Sequence, residues 1–180
     1  MIDLGSDSGT DTFFASLKVR SQGQVIGIDM TDPQRKKAER LCDEAGFANI
    51  TYLKGYIDDL PLDDECADVV ISNGVINLVP DKSAVFREVA RVLRPGERLA
   101  ISDIVTESQL PKTVSCNADL WAACIGGAMQ EDDYRAAIEA AGLSVEQVEP
   151  CPYEFISENA LGATEQWGVK SIALKAVKPA

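Results

Sequence analysis

The sequence predicts an α/β protein built on a doubly wound, mainly parallel sheet. Three observations carry this. Short apolar runs alternate with amphipathic stretches of helical period over most of the chain. The first two runs each carry an acid at their end, in Met1-Ile2-Asp3-Leu4 and Val25-Ile26-Gly27-Ile28-Asp29. A glycine-punctuated loop, Gly5-Ser6-Asp7-Ser8-Gly9, joins the first run to a helix start. Glycines there let the backbone turn sharply and approach a ligand, and the free N–H groups of the following helix favour an acidic group.

Each element follows in turn. Met1 stands directly before the first strand, so that strand is expected to be truncated, with no helix or leader ahead of it. Thr12 to Leu17 reads as a short helix, Ser21-Gln22-Gly23 as a turn, and residues 25–29 as the second strand. Thr31-Asp32-Pro33-Gln34 is a helix start, with proline tolerated in the first turn and Gln34 placed to complete a capping box with Thr31. That helix runs to about Ala45, where Gly46 supplies the stop. Ile50 to Leu53 is a third strand, and Ala67 to Ser72 a fourth, continuous enough to be buried on both faces. Asp81 to Leu93 is amphipathic and closed by Arg94-Pro95-Gly96 before a fifth strand, Leu99 to Ile104. A small-residue segment from Leu120 to Met129, a helix from Asp132 to Ala141 and strands at Ser144–Glu149 and Ser171–Val177 complete a single domain over residues 1–180.

Composition narrows the function. A chain of 180 residues buries roughly 70% of its unfolded surface, enough for a core. A formal net charge of −12 opposes nucleic acid and anionic membrane surfaces, which leaves a small-molecule partner. Histidine is absent, removing the usual acid/base group and the commonest metal ligand, and no metal site is expected. Five dispersed cysteines without a CxxC pair fit a reducing, cytoplasmic setting. Cys42, Cys66 and Cys151 read as small buried hydrophobes, and Trp121, Trp167 and Tyr134 as core or rim.

Asp29 lies 24 positions after Gly5, where a carboxylate accepts hydrogen bonds from a ribose diol. Two such strand ends side by side make a nucleoside site. A nicotinamide dinucleotide loop wants GxGxxG, and here Asp7 and Thr10 occupy its second and third glycine positions.

The pattern Asp3-x-Gly5-x-Asp7-x-Gly9 instead resembles the first motif of class I S-adenosylmethionine methyltransferases, with its middle glycine replaced. That resemblance implies a Rossmann-like, seven-stranded sheet with the cofactor across the carboxyl ends of the strands. Val25 to Thr31, Lys54 to Leu60, the Ser72-Asn73-Gly74-Val75-Ile76-Asn77-Leu78 segment, Trp121-Ala122-Ala123-Cys124-Ile125-Gly126-Gly127 and Gly168 to Ser171 further resemble the arsenite methyltransferases. By that resemblance Asp3, Gly5, Ser6 and Gly9 shape the methionine end of an S-adenosylmethionine site. Asp29 and Met30 hold the ribose and flank the adenine, Ile57 and Asp58 contact the ring, and Ser72 and Asn73 lie near the sulfonium.

Trivalent arsenic attacks a methyl sulfonium with its own lone pair, so the chemistry needs positioning rather than a proton shuttle. Soft thiolates suit such a centre. The family resemblance implies three cysteines, of which only Cys124 is matched; the second position is Gly74, and the upstream region is absent. Cys116, eight residues before Cys124, has no spacing that commits it to the site. Three readings stay open on the sequence: transfer to arsenite-type arsenic, transfer to another small acceptor, and a non-catalytic cofactor-binding descendant. Oligomeric state is not legible.

Overall fold

The computed structural model describes residues 1–19, 22–153 and 158–180. The elements run β1 (Ile2–Leu4), α1 (Thr10–Lys18), β2 (Val25–Asp29), α2 (Asp32–Ala45), β3 (Ile50–Lys54), β4 (Ala67–Asn73) and a 3₁₀ turn at Ile76–Leu78. They continue as α3 (Lys82–Val92), β5 (Leu93–Thr106), α4 (Lys112–Ser115), α5 (Ala118–Ala122), β6 (Met129–Gln130) and α6 (Glu131–Ala140). The chain ends with β7 (Ser144–Cys151), α7 (Glu158–Trp167) and β8 (Lys170–Val177). The turn expected at Ser21 lies partly outside the described residues.

One sheet holds all the strands in the order β3-β2-β1-β4-β5-β8-β7, with the two-residue β6 beside β5. The pairs from β3 through β5 are parallel, and β8 is antiparallel to both β5 and β7. The predicted seven-stranded, mainly parallel sheet is therefore present. Its order reverses between β1 and β4, the switch point outside whose carboxyl ends ligands bind in such sheets.

Side chains alternate along each strand and so feed two layers. Ile2, Leu4, Ile28, Val70 and Leu99 pack with Val85, Phe86 and Val89 of α3 and Tyr134 and Ile138 of α6, and the Phe86 and Tyr134 rings meet edge to face at 5.2 Å. Tyr52, on the opposite face, packs with Ala38, Cys42, Phe13 and Phe47, which belong to α1, α2 and the turn after α2. A smaller cluster of Val114, Leu120, Ile125, Ala163 and Val169 sits on Ile104 near the end of β5 and supports the segment that carries Cys124.

Three local expectations need correction. Burying β4 on both faces fails: Ala67, Val70 and Ser72 are buried, whereas Asp68 and Asn73 are exposed and Ile71 half-buried, because α1 and α2 cover only the β1–β3 side of that face. Arg94-Pro95-Gly96 does not close a loop. It lies inside β5, where pairing to β4 shifts register between Ala67/Leu93 and Val69/Arg98, and Gly96, with φ +81°, absorbs the bulge. Thr31 precedes α2 as expected, but its side chain caps nothing; its N–H is taken by Asp29 instead. Helix α7 carries no sequence signal strong enough to have been expected. Gly46, with φ +74°, does end α2.

Candidate active site at the strand ends

The loop after β1 is built by backbone conformation. Gly5 and Gly9 adopt φ of +67° and +93°. A Cβ on Gly5 would overlap the Val75 side chain, and one on Gly9 the Tyr52 hydroxyl, so both positions combine a positive φ with close approach. The N–H groups of Gly5 and Ser6 both reach the Ile28 carbonyl, at 2.8 and 3.0 Å, locking the loop to β2. Asp7, also in the left-handed region at φ +46°, is exposed, and its N–H donates to Asp29 Oδ2 at 2.9 Å. Thr31 N–H donates to Asp29 Oδ1 at 2.7 Å, so the Asp29 carboxylate is oriented by two backbone donors and keeps lone pairs for a ligand.

Three cavities surround these strand ends. The first, of about 170 Å³, is lined by Gly5, Asp29, Met30, Tyr56, Ile57 and Asp58, with Val75 and Leu78 opposite. Met30 and Tyr56 are each 61% exposed, making an open apolar slot beside a carboxylate. That combination suits a flat base with its ribose, and it brings together five of the residues singled out from sequence.

A second cavity, of about 440 Å³, lies along the uncovered sheet face and includes Asp3, Asp11, Ser72, Asn73 and Ser102. Asp3 is 2% exposed and accepts a 2.5 Å hydrogen bond from the Thr12 hydroxyl. Burial pushes its carboxyl up to about 7 against that hydrogen bond, and the neighbouring Asp11 and Asp29 charges push the same way. Asn73 Nδ2 donates to Asp11 Oδ2 at 3.0 Å, tying the end of β4 to the first turn of α1.

The third cavity, of about 290 Å³, is lined by Asn73, Gly74, Ser102, Asp103, Cys124 and Tyr153 among others. Asn73 and Ser102 line this space and the preceding one, which makes them neighbours at a shared wall. Cys124 holds φ +61°, uncommon for a side-chain-bearing residue, and its Sγ–H donates to the Gly74 carbonyl at 3.0 Å. Burial raises the Cys124 thiol above its ordinary value, and the Asp103 charge adds to this, so the thiol is neutral.

Beneath this wall a buried network holds the segment after β4. Asn77 Nδ2 donates to Asp103 Oδ1 at 2.8 Å and to the Ile104 carbonyl, and Tyr134 donates to Asp103 Oδ2 at 3.2 Å. Burial drives the Asp103 carboxyl up to about 6, opposed by the Ile104 N–H, Tyr134 and the nearby Lys82 charge. Gly127 lets the Cys124 loop close onto this segment, since a Cβ there would overlap the Asn77 carbonyl oxygen.

Two residues from the sequence reading contribute differently. Ser6 is buried, with its hydroxyl against Gly27 and no hydrogen-bond partner, and Gly9 acts at the start of α1 rather than in a cavity wall. Cys116 is exposed at the end of α4 and does not line the cavity with Cys124. Asp11, Tyr56, Asn77, Asp103 and Tyr153 were missed. Asp103, a lone acid inside the apolar run from Leu99 to Val105, carried a readable signal. Tyr56 and Asn77 stood inside segments that carry the resemblance, and Asp11 and Tyr153 had no signal of their own. No described helix is long and apolar enough to cross a membrane.

A family model described as a methyltransferase domain matches residues 1–142. The chain is 41% identical over 160 residues to an arsenite methyltransferase of Halobacterium salinarum, covering 88% of this chain and 41% of that protein. It is 38% identical over 168 residues to the arsenite methyltransferase of Homo sapiens, covering 88% and 43%. The chain thus spans less than half the length of these curated relatives. Among solved structures it resembles CrArsM, an arsenic(III) S-adenosylmethionine methyltransferase from Chlamydomonas reinhardtii, with TM-score 0.81 and 29% identity over 99% of this chain and 62% of that one.

Proposed function

Because the chain belongs to the methyltransferase-domain family, we propose that it transfers the methyl group of S-adenosylmethionine to a small acceptor, trivalent arsenic bound through thiols. The observation that carries this reading is the shared wall at Asn73. On one side stands an acidic strand-end crevice, and on the other a cavity containing the Cys124 thiol.

The residues present fit the cofactor. The Gly5 cradle would be filled by any Cβ, and the Asp29 carboxylate stands next to the Met30–Tyr56–Ile57 slot. Asp29 accepts the ribose hydroxyls, the slot takes the adenine, and Asp58 lies at its rim. Ser72 and Asn73 face the reacting end. When bound, S-adenosylmethionine supplies an electrophilic methyl on a positively charged sulfur.

Cys124 holds the acceptor. Ligation exchanges one glutathione thiolate or hydroxide on arsenic for the Cys124 sulfur, and the proton that the thiol now donates to the Gly74 carbonyl leaves with the displaced group as free thiol or water. The arsenic keeps its lone pair for in-line attack, so the chain's task is alignment and exclusion of water. Cys124 is the one cysteine lining this cavity among the described residues, so ligands that the substrate brings, such as glutathione, take the other arsenic valences. The setting proposed is the reducing cytoplasm.

A second reading rests on Gly74. A Cβ there meets nothing within 4 Å, so the cavity has room beside Cys124 for a bulkier, non-arsenical acceptor. Calorimetric titration with S-adenosylmethionine, with Asp29→Ala as control, tests the cofactor. Methyl transfer with arsenite and glutathione, in wild type and Cys124→Ser, tests the acceptor. Binding without arsenic-dependent transfer favours the second reading, and no binding by the folded chain rejects both.

A further inference from the structure

The wall formed by Asp3 and Asp11 has no role in the resemblance beyond Asp3 itself. Both line the cavity of about 440 Å³, and Asp29 is close enough to influence Asp3 electrostatically. None of the three carboxylates forms an ion pair with a Lys or Arg among the described residues. The nearest basic lining residue, Lys175, lies on β8 and is paired to Glu146. The same cavity is lined by Ser72, which is 3% exposed and whose hydroxyl has no hydrogen-bond partner. A pocket that gathers the half-buried Asp11 carboxylate, the buried Asp3 carboxyl and an unpaired buried hydroxyl, and whose one lysine is already paired to Glu146, suits a ligand that brings a positive hydrogen-bond donor.

We propose that Asp11, held in place by Asn73, binds the α-ammonium group of the cofactor, and that Asp3 releases its proton as this cation seats. The proposal rests on the cofactor reading above and adds a binding residue and a proton to it. Asn73 Nδ2 occupies one lone pair of Asp11 Oδ2 and leaves the rest of the carboxylate for the ligand. Asp3, deeper on β1, is held protonated by burial and by the charges of Asp11 on α1 and Asp29 on β2. Thr12 on α1 donates to it, and the Tyr52 phenol on β3 stands nearby. An ammonium in the cavity reverses the balance and favours the carboxylate. The chain has no histidine to obscure the proton count near neutrality.

The test is calorimetry at pH 6.5 in buffers of different ionisation enthalpy, where a free α-amino group is fully protonated. Three ligands are compared: S-adenosylmethionine, S-adenosylhomocysteine, which keeps the ammonium but not the sulfonium, and 5′-methylthioadenosine, which lacks both. Wild type should release a proton fraction well above zero with the first two and none with the third. Asp3→Asn should abolish that release. Asp11→Asn, which preserves an acceptor for Asn73, should weaken the two amino-acid ligands about tenfold and leave 5′-methylthioadenosine unchanged. Equal proton release with all three ligands overturns the proposal while leaving the cofactor reading intact, as does wild-type affinity in Asp11→Asn. Failure of all three to bind the folded chain overturns both.

Discussion

The Cys124 thiol lies 3.0 Å from the Gly74 carbonyl oxygen, joining two segments 50 residues apart at the wall of one cavity. This contact fixes where the sulfur sits relative to the end of β4. Replacing Cys124 by Ser shortens the group and removes its softness while leaving the strand-end crevice untouched. Cys124→Ser is expected to lower arsenic-dependent methyl transfer at least a hundredfold, with cofactor affinity unchanged, as read by radiolabelled transfer and calorimetry.

Gly74 stands at φ +68° with open space where a Cβ would be. Gly74→Cys should therefore cost only about 1–2 kcal/mol of stability, from the left-handed backbone. It also puts a second thiol beside the first. If arsenic is the acceptor, the substitution raises transfer to arsenite and tightens arsenite binding. An unchanged arsenite affinity would argue for a different acceptor.

Gly127 packs against the Asn77 carbonyl so closely that any side chain displaces one of the two segments. Gly127→Ala is expected to destabilise by about 2–4 kcal/mol, which for a chain of this size is a fall in Tm of roughly 5–12 °C. Because the same loop carries Cys124, transfer should fall more than cofactor affinity does. Thermal melts alongside kinetics separate the two effects.

Asp29 orients itself through the Asp7 and Thr31 N–H groups, and Asp29→Ala orphans both. These donors are near the surface and recover water, so the loss of stability should be small, about 1 kcal/mol. The loss of S-adenosylmethionine affinity should be larger, at least tenfold, since the proposed ribose acceptor goes with it. Calorimetry compared with urea denaturation checks the ratio.

Asp3 titrates near 7 in the folded chain against an ordinary value of 3.8. The native state therefore holds this proton more tightly than the unfolded one. Its stabilising contribution is full below about pH 4 and is lost as pH rises through 7. Asp3→Asn keeps a neutral side chain and the acceptor for Thr12 at every pH. Without cofactor, it should match wild type near pH 4 and exceed it by on the order of 2–4 kcal/mol at pH 8. Urea denaturation at the two pH values reads this directly, and a pH-independent difference would contradict it.

Much of this was legible from residue order alone. The alternation of strands and helices, the turn at Gly5 and Gly9, the acid closing β2 and the stop at Gly46 depend on neighbours within a few residues, where backbone sterics and periodicity act. Gly5, Asp29, Met30, Ile57 and Asp58, singled out from sequence, meet in one cavity because parallel strands deliver their carboxyl ends to one edge. The register shift in β5, the half-open face of β4 and the Asn77–Asp103–Tyr134 network were not legible. Each depends on what packs across the sheet from tens of residues away. The same holds for Asp11, an ordinary helix-start acid in sequence, which lines the cavity and accepts from Asn73 at the end of β4. Local sequence determined which elements form and where the crevice opens. Tertiary packing alone decided which buried charges face it, because desolvation and hydrogen-bond partners are properties of the assembled layers.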